Sequence, residues 1–232
     1  MQRIAPSPDG CTMSCPSEDI ADAARALEGH AVRTPLVEAD LLNAEADRRI
    51  LVKAEALQRT GSFKFRGAYN RIRLIPEGDR AKGVIAYSSG NHAQGVALAA
   101  RLLGAPATII MPADAPALKK ANTEAYGAAV VTYDRWNESR EEIGERLVAE
   151  TGATLVRPYD DRFVIAGQGT SGLEIAEDCA ARGIRPDAVL VCCGGGGLTS
   201  GIVLALAERM PGVPVYAVEP QGFDDWRRSL AA

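Results

Sequence analysis

Six short runs rich in valine and isoleucine, each bounded by turn residues, constrain this chain more than any other feature. They fall at Arg49 to Ala54, Gly83 to Tyr87, Ala107 to Met111, Ala129 to Tyr133, Ala188 to Cys192 and Pro214 to Val218. Such apolar runs suit strands covered on both faces, as in a parallel sheet whose crossovers are helices. Between them, apolar spacing predicts helices over Asp19 to Gly29, Gly67 to Ile75, Ala93 to Leu103, Ala117 to Tyr126, Arg140 to Thr151, Gly172 to Arg182 and Thr199 to Arg209. The alternation defines an open α/β architecture with active residues at strand C-terminal ends. The stretch up to about Ser17, rich in Pro, Ser and Asp, reads as irregular, and no repeat, low-complexity block or linker interrupts the rest.

Bulk properties exclude more than they define. A length of 232 residues is enough for one large domain or two small ones. Acidic residues outnumber basic ones by 30 to 26, so the charge balance gives no sign of a nucleic-acid partner. No apolar run approaches the roughly 18 residues of a membrane span, and no basic-then-apolar leader opens the chain, so no membrane partner is expected and a cytoplasmic location is the default. Cys11, Cys15, Cys179, Cys192 and Cys193 are odd in number and partly adjacent, which argues against a disulfide framework. Cys11 and Cys15 lack the second His or Cys pair that a zinc site needs.

Three glycine-rich segments stand where strand meets helix. Gly61-Ser62-Phe63-Lys64-Phe65-Arg66-Gly67 places one lysine in an apolar, glycine-flanked setting. A desolvated lysine loses its proton readily and can form a Schiff base with an aldehyde, although taken alone the segment also reads as a turn with a solvated lysine. Gly194-Gly195-Gly196-Gly197-Leu198-Thr199-Ser200 follows a strand and opens a helix, so that successive backbone N–H groups and the helix dipole converge on an anion such as phosphate. It matches neither the dinucleotide fingerprint nor the P-loop. Ser88-Ser89-Gly90-Asn91-His92-Ala93-Gln94-Gly95 crowds hydroxyl, amide and imidazole groups at another helix start, where free N–H groups suit a carboxylate and where any one of these side chains also serves as a cap. A lysine, a phosphate cradle and a carboxylate loop together point to pyridoxal phosphate.

Thr34-Pro35-Leu36, Lys53 to Lys64, Ser88 to Gly95, Ala166-Gly167-Gln168-Gly169-Thr170 and Gly194 to Leu198 resemble, in order, the serine/threonine dehydratase and serine racemase family, fold-type-II pyridoxal phosphate enzymes related to the tryptophan synthase β subunit. The resemblance runs from about Asp19 to the end of the chain. It implies two open, mainly parallel twisted sheets flanked by helices, with residues 1–82 and 158–232 in a large domain and 83–157 in a small mobile one. It also implies that Lys64 is the Schiff-base lysine, that Phe63 packs against the cofactor ring, that Asn91 bonds the ring 3-hydroxyl, and that Gly194, Gly195, Gly196, Gly197 and Leu198 hold the phosphate. Ser88, Ser89, Gly90, Asn91 and His92 then surround the substrate carboxylate.

The implied activity is conversion of L-threonine or L-serine to a 2-keto acid and ammonia, with Lys64 removing the α-proton. Serine racemisation, 3-hydroxyaspartate dehydration and an inactive ligand-binding fragment remain open beside it. Ser89 matches the base that protonates the opposite face in racemases, and equally a plain carboxylate binder. Arg140 resembles an arginine that faces the substrate and would receive a second carboxylate, against the reading of a solvated helix-surface arginine. Glu219, the Phe223 carbonyl and Asp225 reproduce a family spacing for Mg²⁺ or Ca²⁺. Family members are commonly homodimers. The chain departs from the pattern by stopping at Ala232, before the segment that contacts the pyridine nitrogen and closes the pocket, and by carrying Arg157-Pro158 where relatives often have His-Pro. The C-terminal part of the large domain is therefore expected to be missing.

Overall fold

The computed structural model describes residues 2–4, 15 and 17–231; Cys11 lies outside them. Strand β1 (Gln2–Ile4) precedes helix α1 (Ser17–Leu27), followed by strand β2 (Leu36–Glu38), helix α2 (Asp40–Ala46) and strand β3 (Leu51–Lys53). Two 3₁₀ turns lead into α3 (Lys64–Arg73) and the short α4 (Glu77–Arg80). Then come β4 (Val84–Tyr87), α5 (Asn91–Leu102), β5 (Ala107–Pro112), α6 (Ala117–Ala125), β6 (Ala129–Tyr133), α7 (Arg140–Thr151) and β7 (Thr154–Leu155). The long α8 (Arg162–Ala181), β8 (Val189–Cys192), α9 (Gly197–Arg209), β9 (Val215–Val218) and α10 (Asp225–Ala231) complete the order.

Strands β4 to β7 form one four-stranded sheet, ordered β6-β5-β4-β7 and parallel throughout. Its central strands are buried nearly end to end because helices cover both faces. Val84, Ala86, Ile109 and Met111 pack toward α5, whereas Ile85 and Ile110 join Leu147 and Val148 of α7 on the other side. A second sheet, ordered β1-β9-β8, pairs β8 and β9 in parallel and adds β1 antiparallel at its edge. Val191 and Val215 pack on Ile175 of α8 and Leu206 of α9. None of the helices among the described residues is long and apolar enough to cross a membrane.

Two expectations are corrected. The run at residues 49–54 is not a buried parallel strand: β3 pairs antiparallel with β2, and Val52 lies opposite Val37, both more than 40% exposed. Three residues with one covered face are enough for an apolar run of that length. The helix predicted from Gly172 begins ten residues earlier at Arg162, where Asp161 Oδ1 caps it by accepting from the N–H groups of Phe163 and Val164. Gly167 and Gly169 lower intrinsic helicity, yet they are contact points: a Cβ on Gly167 would stand 2.6 Å from the Arg66 carbonyl oxygen, and one on Gly169 would stand 2.9 Å from the Gly201 carbonyl oxygen. Close crossing of α3 and α9 over α8 therefore explains the glycines of the Ala166 to Thr170 motif.

Other motif residues form a buried charge lattice. Arg66, 1% exposed, donates to both oxygens of Glu55 and of Glu174, at 2.6 to 2.9 Å. Lys53 pairs with Glu174 at 2.6 Å, the Thr34 hydroxyl donates to Glu55 at 2.6 Å, and Arg33 reaches Glu177 and Asp178. This lattice ties the segment carrying Lys64 to α8.

Candidate active site

The approach to Lys64 is held rigidly. The buried Gln58 amide donates to the Val32 carbonyl at 2.7 Å and accepts from the N–H groups of Val32 and Arg59. Thr60 then takes φ 63°, a left-handed conformation that a β-branched residue rarely adopts, and Gly61 follows at φ 72°. Backbone strain of this kind, on the order of 1–3 kcal/mol, persists where the surroundings over-determine it. The double reversal makes Lys64 the first residue of α3.

Half-buried, Lys64 donates from Nζ to the Pro158 carbonyl at 2.6 Å and lies 5.3 Å from the Phe63 ring centroid. Burial without an acidic partner disfavours the ammonium and lowers its pKa from 10.5 to about 8. Lys64 and Phe63 line a cavity of about 540 Å³ with Gly194, Gly195, Gly196, Gly197 and Leu198. The two predicted clusters thus share one chamber although they are 130 positions apart.

The glycine loop is built for close approach. Gly196 takes φ 83° and a Cβ there would stand 2.1 Å from the Trp226 ring, while one on Gly195 would meet Tyr159 at 2.2 Å. Gly197 opens α9, so free N–H groups and the positive end of a thirteen-residue helix face the loop. A depressed-pKa amine opposite an anion-binding loop fits an aldehyde that carries a phosphate, and these residues therefore suit pyridoxal phosphate.

The Ser88–His92 loop lies at the N-terminus of α5 and is not part of that cavity lining. Its helix presses on the lysine segment, since a Cβ on Gly95 would stand 3.1 Å from the backbone of Lys64 and Phe65. Ser88 Oγ accepts from the Gly90 N–H at 3.1 Å, and Ser89 and Asn91 are exposed. His92 is buried: its Nε2 meets the Val156 carbonyl oxygen at 2.9 Å, and desolvation together with the Lys64 charge lowers its pKa to about 4. The imidazole is therefore neutral at pH 7; with Nε2 donating to Val156, Nδ1 is a buried acceptor without a partner.

Arg140 stacks 5.1 Å over the Tyr87 ring at the end of β4, and its guanidinium donates to Glu141 at 2.7 Å. Glu219 accepts from the N–H groups of Trp226 and Arg227 with its two oxygens, Asp225 pairs with Arg228, and the Phe223 side chain is 73% exposed. The two expected carboxylate ligands are thus engaged in capping and pairing α10, and among the described residues no group of three or more His, Cys, Asp or Glu side chains could hold a metal. Sequence reasoning missed Tyr159, Cys192, Cys193 and Pro220 as cavity walls. Tyr159 carries no motif at all, whereas the cysteines close the strand that precedes the glycine loop.

The chain belongs to the pyridoxal-phosphate dependent enzyme family, whose model matches residues 27–232. It is 51% identical over 212 residues to an L-threo-3-hydroxyaspartate ammonia-lyase of Pseudomonas sp, covering 91% of this chain and 65% of that protein. Among solved structures it resembles a T.th. threonine deaminase, with TM-score 0.86 and 46% identity over 92% of this chain and 68% of the other. Maize serine racemase superposes with TM-score 0.89 at 38% identity, covering 94% of this chain and 65% of the racemase. The chain thus spans about two thirds of the length of these proteins.

Proposed function

We propose that this chain carries the cofactor and substrate centre of a pyridoxal phosphate-dependent ammonia-lyase that converts L-threonine or L-serine to a 2-keto acid and ammonia. The observation that supports this most is the shared chamber of Lys64, with its pKa near 8, and the Gly194–Gly197 loop. When bound there, the cofactor supplies an electron sink for charge developing at the substrate Cα. The chain's own residues do the rest. N–H groups of the Ser88–His92 loop bind and orient the substrate carboxylate, Phe63 packs against the bound ring, and Gly194 to Leu198 hold the phosphate. Uncharged Lys64 Nζ takes the proton from substrate Cα and its ammonium returns it to the β-hydroxyl, which departs as water; the released enamine tautomerises and is hydrolysed to the 2-keto acid and ammonia. Residues 83–157 act as a small domain that closes and excludes water, a reading supported by their separate sheet.

3-Hydroxyaspartate is the second reading, favoured by the 51% identity to the Pseudomonas lyase. Racemisation through Ser89 is the third, and D-serine formation measures it. A Mg²⁺ or Ca²⁺ at Glu219, the Phe223 carbonyl and Asp225 requires the two carboxylates to exchange their α10 partners for the ion, and stabilisation by added Mg²⁺ tests that site. The working unit we propose is a cytoplasmic homodimer. Incubation with pyridoxal phosphate and each of L-threonine, L-serine and 3-hydroxyaspartate should release 2-keto acid in wild type and none in Lys64→Ala. Equal release by both proteins refutes the assignment.

A further inference from the structure

We propose that Lys119 is a specificity-determining residue of this site, its ammonium receiving the side-chain carboxylate of a dicarboxylic hydroxy amino acid. The inference rests on the ammonia-lyase reading above and selects a substrate class within it. Lys119 is the third residue of α6, partly buried, and its Nζ lies 3.3 Å from where a Cβ on Gly90 would stand. The ammonium therefore occupies the space that a side chain would fill in the middle of the Ser88–His92 loop. Its placement is held by α6: the Asn122 amide donates to Gln94 Oε1 of α5 at 3.3 Å, and the Thr123 hydroxyl bonds the Lys119 carbonyl at 2.8 Å.

What distinguishes this cation is that nothing neutralises it. Among the described residues the Lys119 ammonium makes neither a hydrogen bond nor an ion pair, whereas that of adjacent Lys120 donates to the Ala113 carbonyl at 2.6 Å. Gly90 caps α5 without a side-chain acceptor, so the positive end of a twelve-residue helix faces an unpaired ammonium. Like charges at that end repel, and an anion between them turns the repulsion into attraction. The same turn holds the second unsatisfied group, the buried Nδ1 of His92, which accepts and has no donor in reach. A carboxylate, together with a hydroxyl or N–H group, would satisfy this set.

The α5 N–H groups already serve one carboxylate, which is all that serine or threonine offers. Lys119 comes from a different helix and adds a full charge, so a second carboxylate gives it a partner. Arg140, the other cation near this end of β4, has its charge taken up by Glu141.

The test is calorimetric titration of the pyridoxal phosphate-treated chain with succinate and with butyrate, acids of equal carbon number and different charge. Wild type is expected to bind succinate at least tenfold more tightly. Lys119→Ala should reduce that preference below twofold, Lys119→Gln should do the same without leaving a gap, and Lys119→Arg should keep most of it. A preference absent in wild type, one that survives both Lys119→Ala and Lys119→Gln, or one abolished by Arg140→Ala alone overturns the proposal. Cofactor uptake, followed separately by absorbance, keeps the two readings apart. Failure to take up cofactor contradicts the ammonia-lyase reading, while normal uptake without a Lys119-dependent preference contradicts only this one.

Discussion

Because Lys64 is desolvated without an acidic partner, its reactivity should titrate far below that of an ordinary lysine. With its pKa lowered to about 8, the uncharged fraction at pH 7 is about 9%, against about 0.03% at the ordinary value, a gain of roughly 300-fold in reactive amine. The sign follows from burial, which penalises the charged form, so lowering pH through 8 protonates the amine and slows its attack on an aldehyde. The rate of pyridoxal phosphate uptake, followed by stopped-flow absorbance, should rise about tenfold between pH 6 and 7, bend near pH 8 and be flat by pH 9.5. Tyr159 lines the same cavity, so Tyr159→Asp should stabilise the ammonium and move the bend upward by about one unit. A bend near 10.5 in wild type would refute the reasoning, because Lys64 would then behave as a solvated lysine.

Gly196→Ala forces a side chain into φ 83° and to within 2.1 Å of the Trp226 ring; pyridoxal phosphate affinity measured by dialysis should fall at least tenfold, and an unchanged affinity would remove this loop from the phosphate site. Arg66→Met leaves Glu55 and Glu174 without their shared partner. Urea unfolding should show a loss of about 3–5 kcal/mol, much of it recovered when Glu55 and Glu174 are also made apolar. His92 is held to a pKa of about 4 in the folded chain, so the unfolded chain binds more protons between about pH 6.5 and 4, and stability falls as pH drops through that window by about 3 kcal/mol. His92→Gln should flatten this acid limb in a thermal-denaturation series.

Periodicity carried three strands of the four-stranded sheet, β4, β5 and β6, almost to the residue, because β4 and β5 are buried on both faces and their apolar runs have no other use, whereas the two-residue edge strand β7 gave no such run. It failed where burial is one-sided or depends on glycine. In β3 Leu51 packs on the second core while Val52 faces outward, and α8 hides its first ten residues behind glycines that allow α3 and α9 to approach. At the site, the glycine loop was legible because it joins β8 to α9, and Lys64 because glycine and apolar residues flank it; the structure places Lys64 at the start of α3 after two 3₁₀ turns rather than directly after a strand. Tyr159 was not, since an aromatic wall is defined by what it covers. Lys119 was equally silent: a lysine on an amphipathic helix reads as solvated until the fold places its ammonium beside Gly90.

Borohydride reduction of the pyridoxal phosphate-treated chain, followed by peptide mapping, tests the central claim most directly. The account predicts one dominant phosphopyridoxyl adduct on the peptide carrying Lys64, absent from Lys64→Ala and diminished by excess inorganic phosphate competing at Gly194 to Gly197. Adducts spread evenly over Lys53, Lys64, Lys82, Lys119 and Lys120, or a Lys64 adduct indifferent to phosphate, would contradict it.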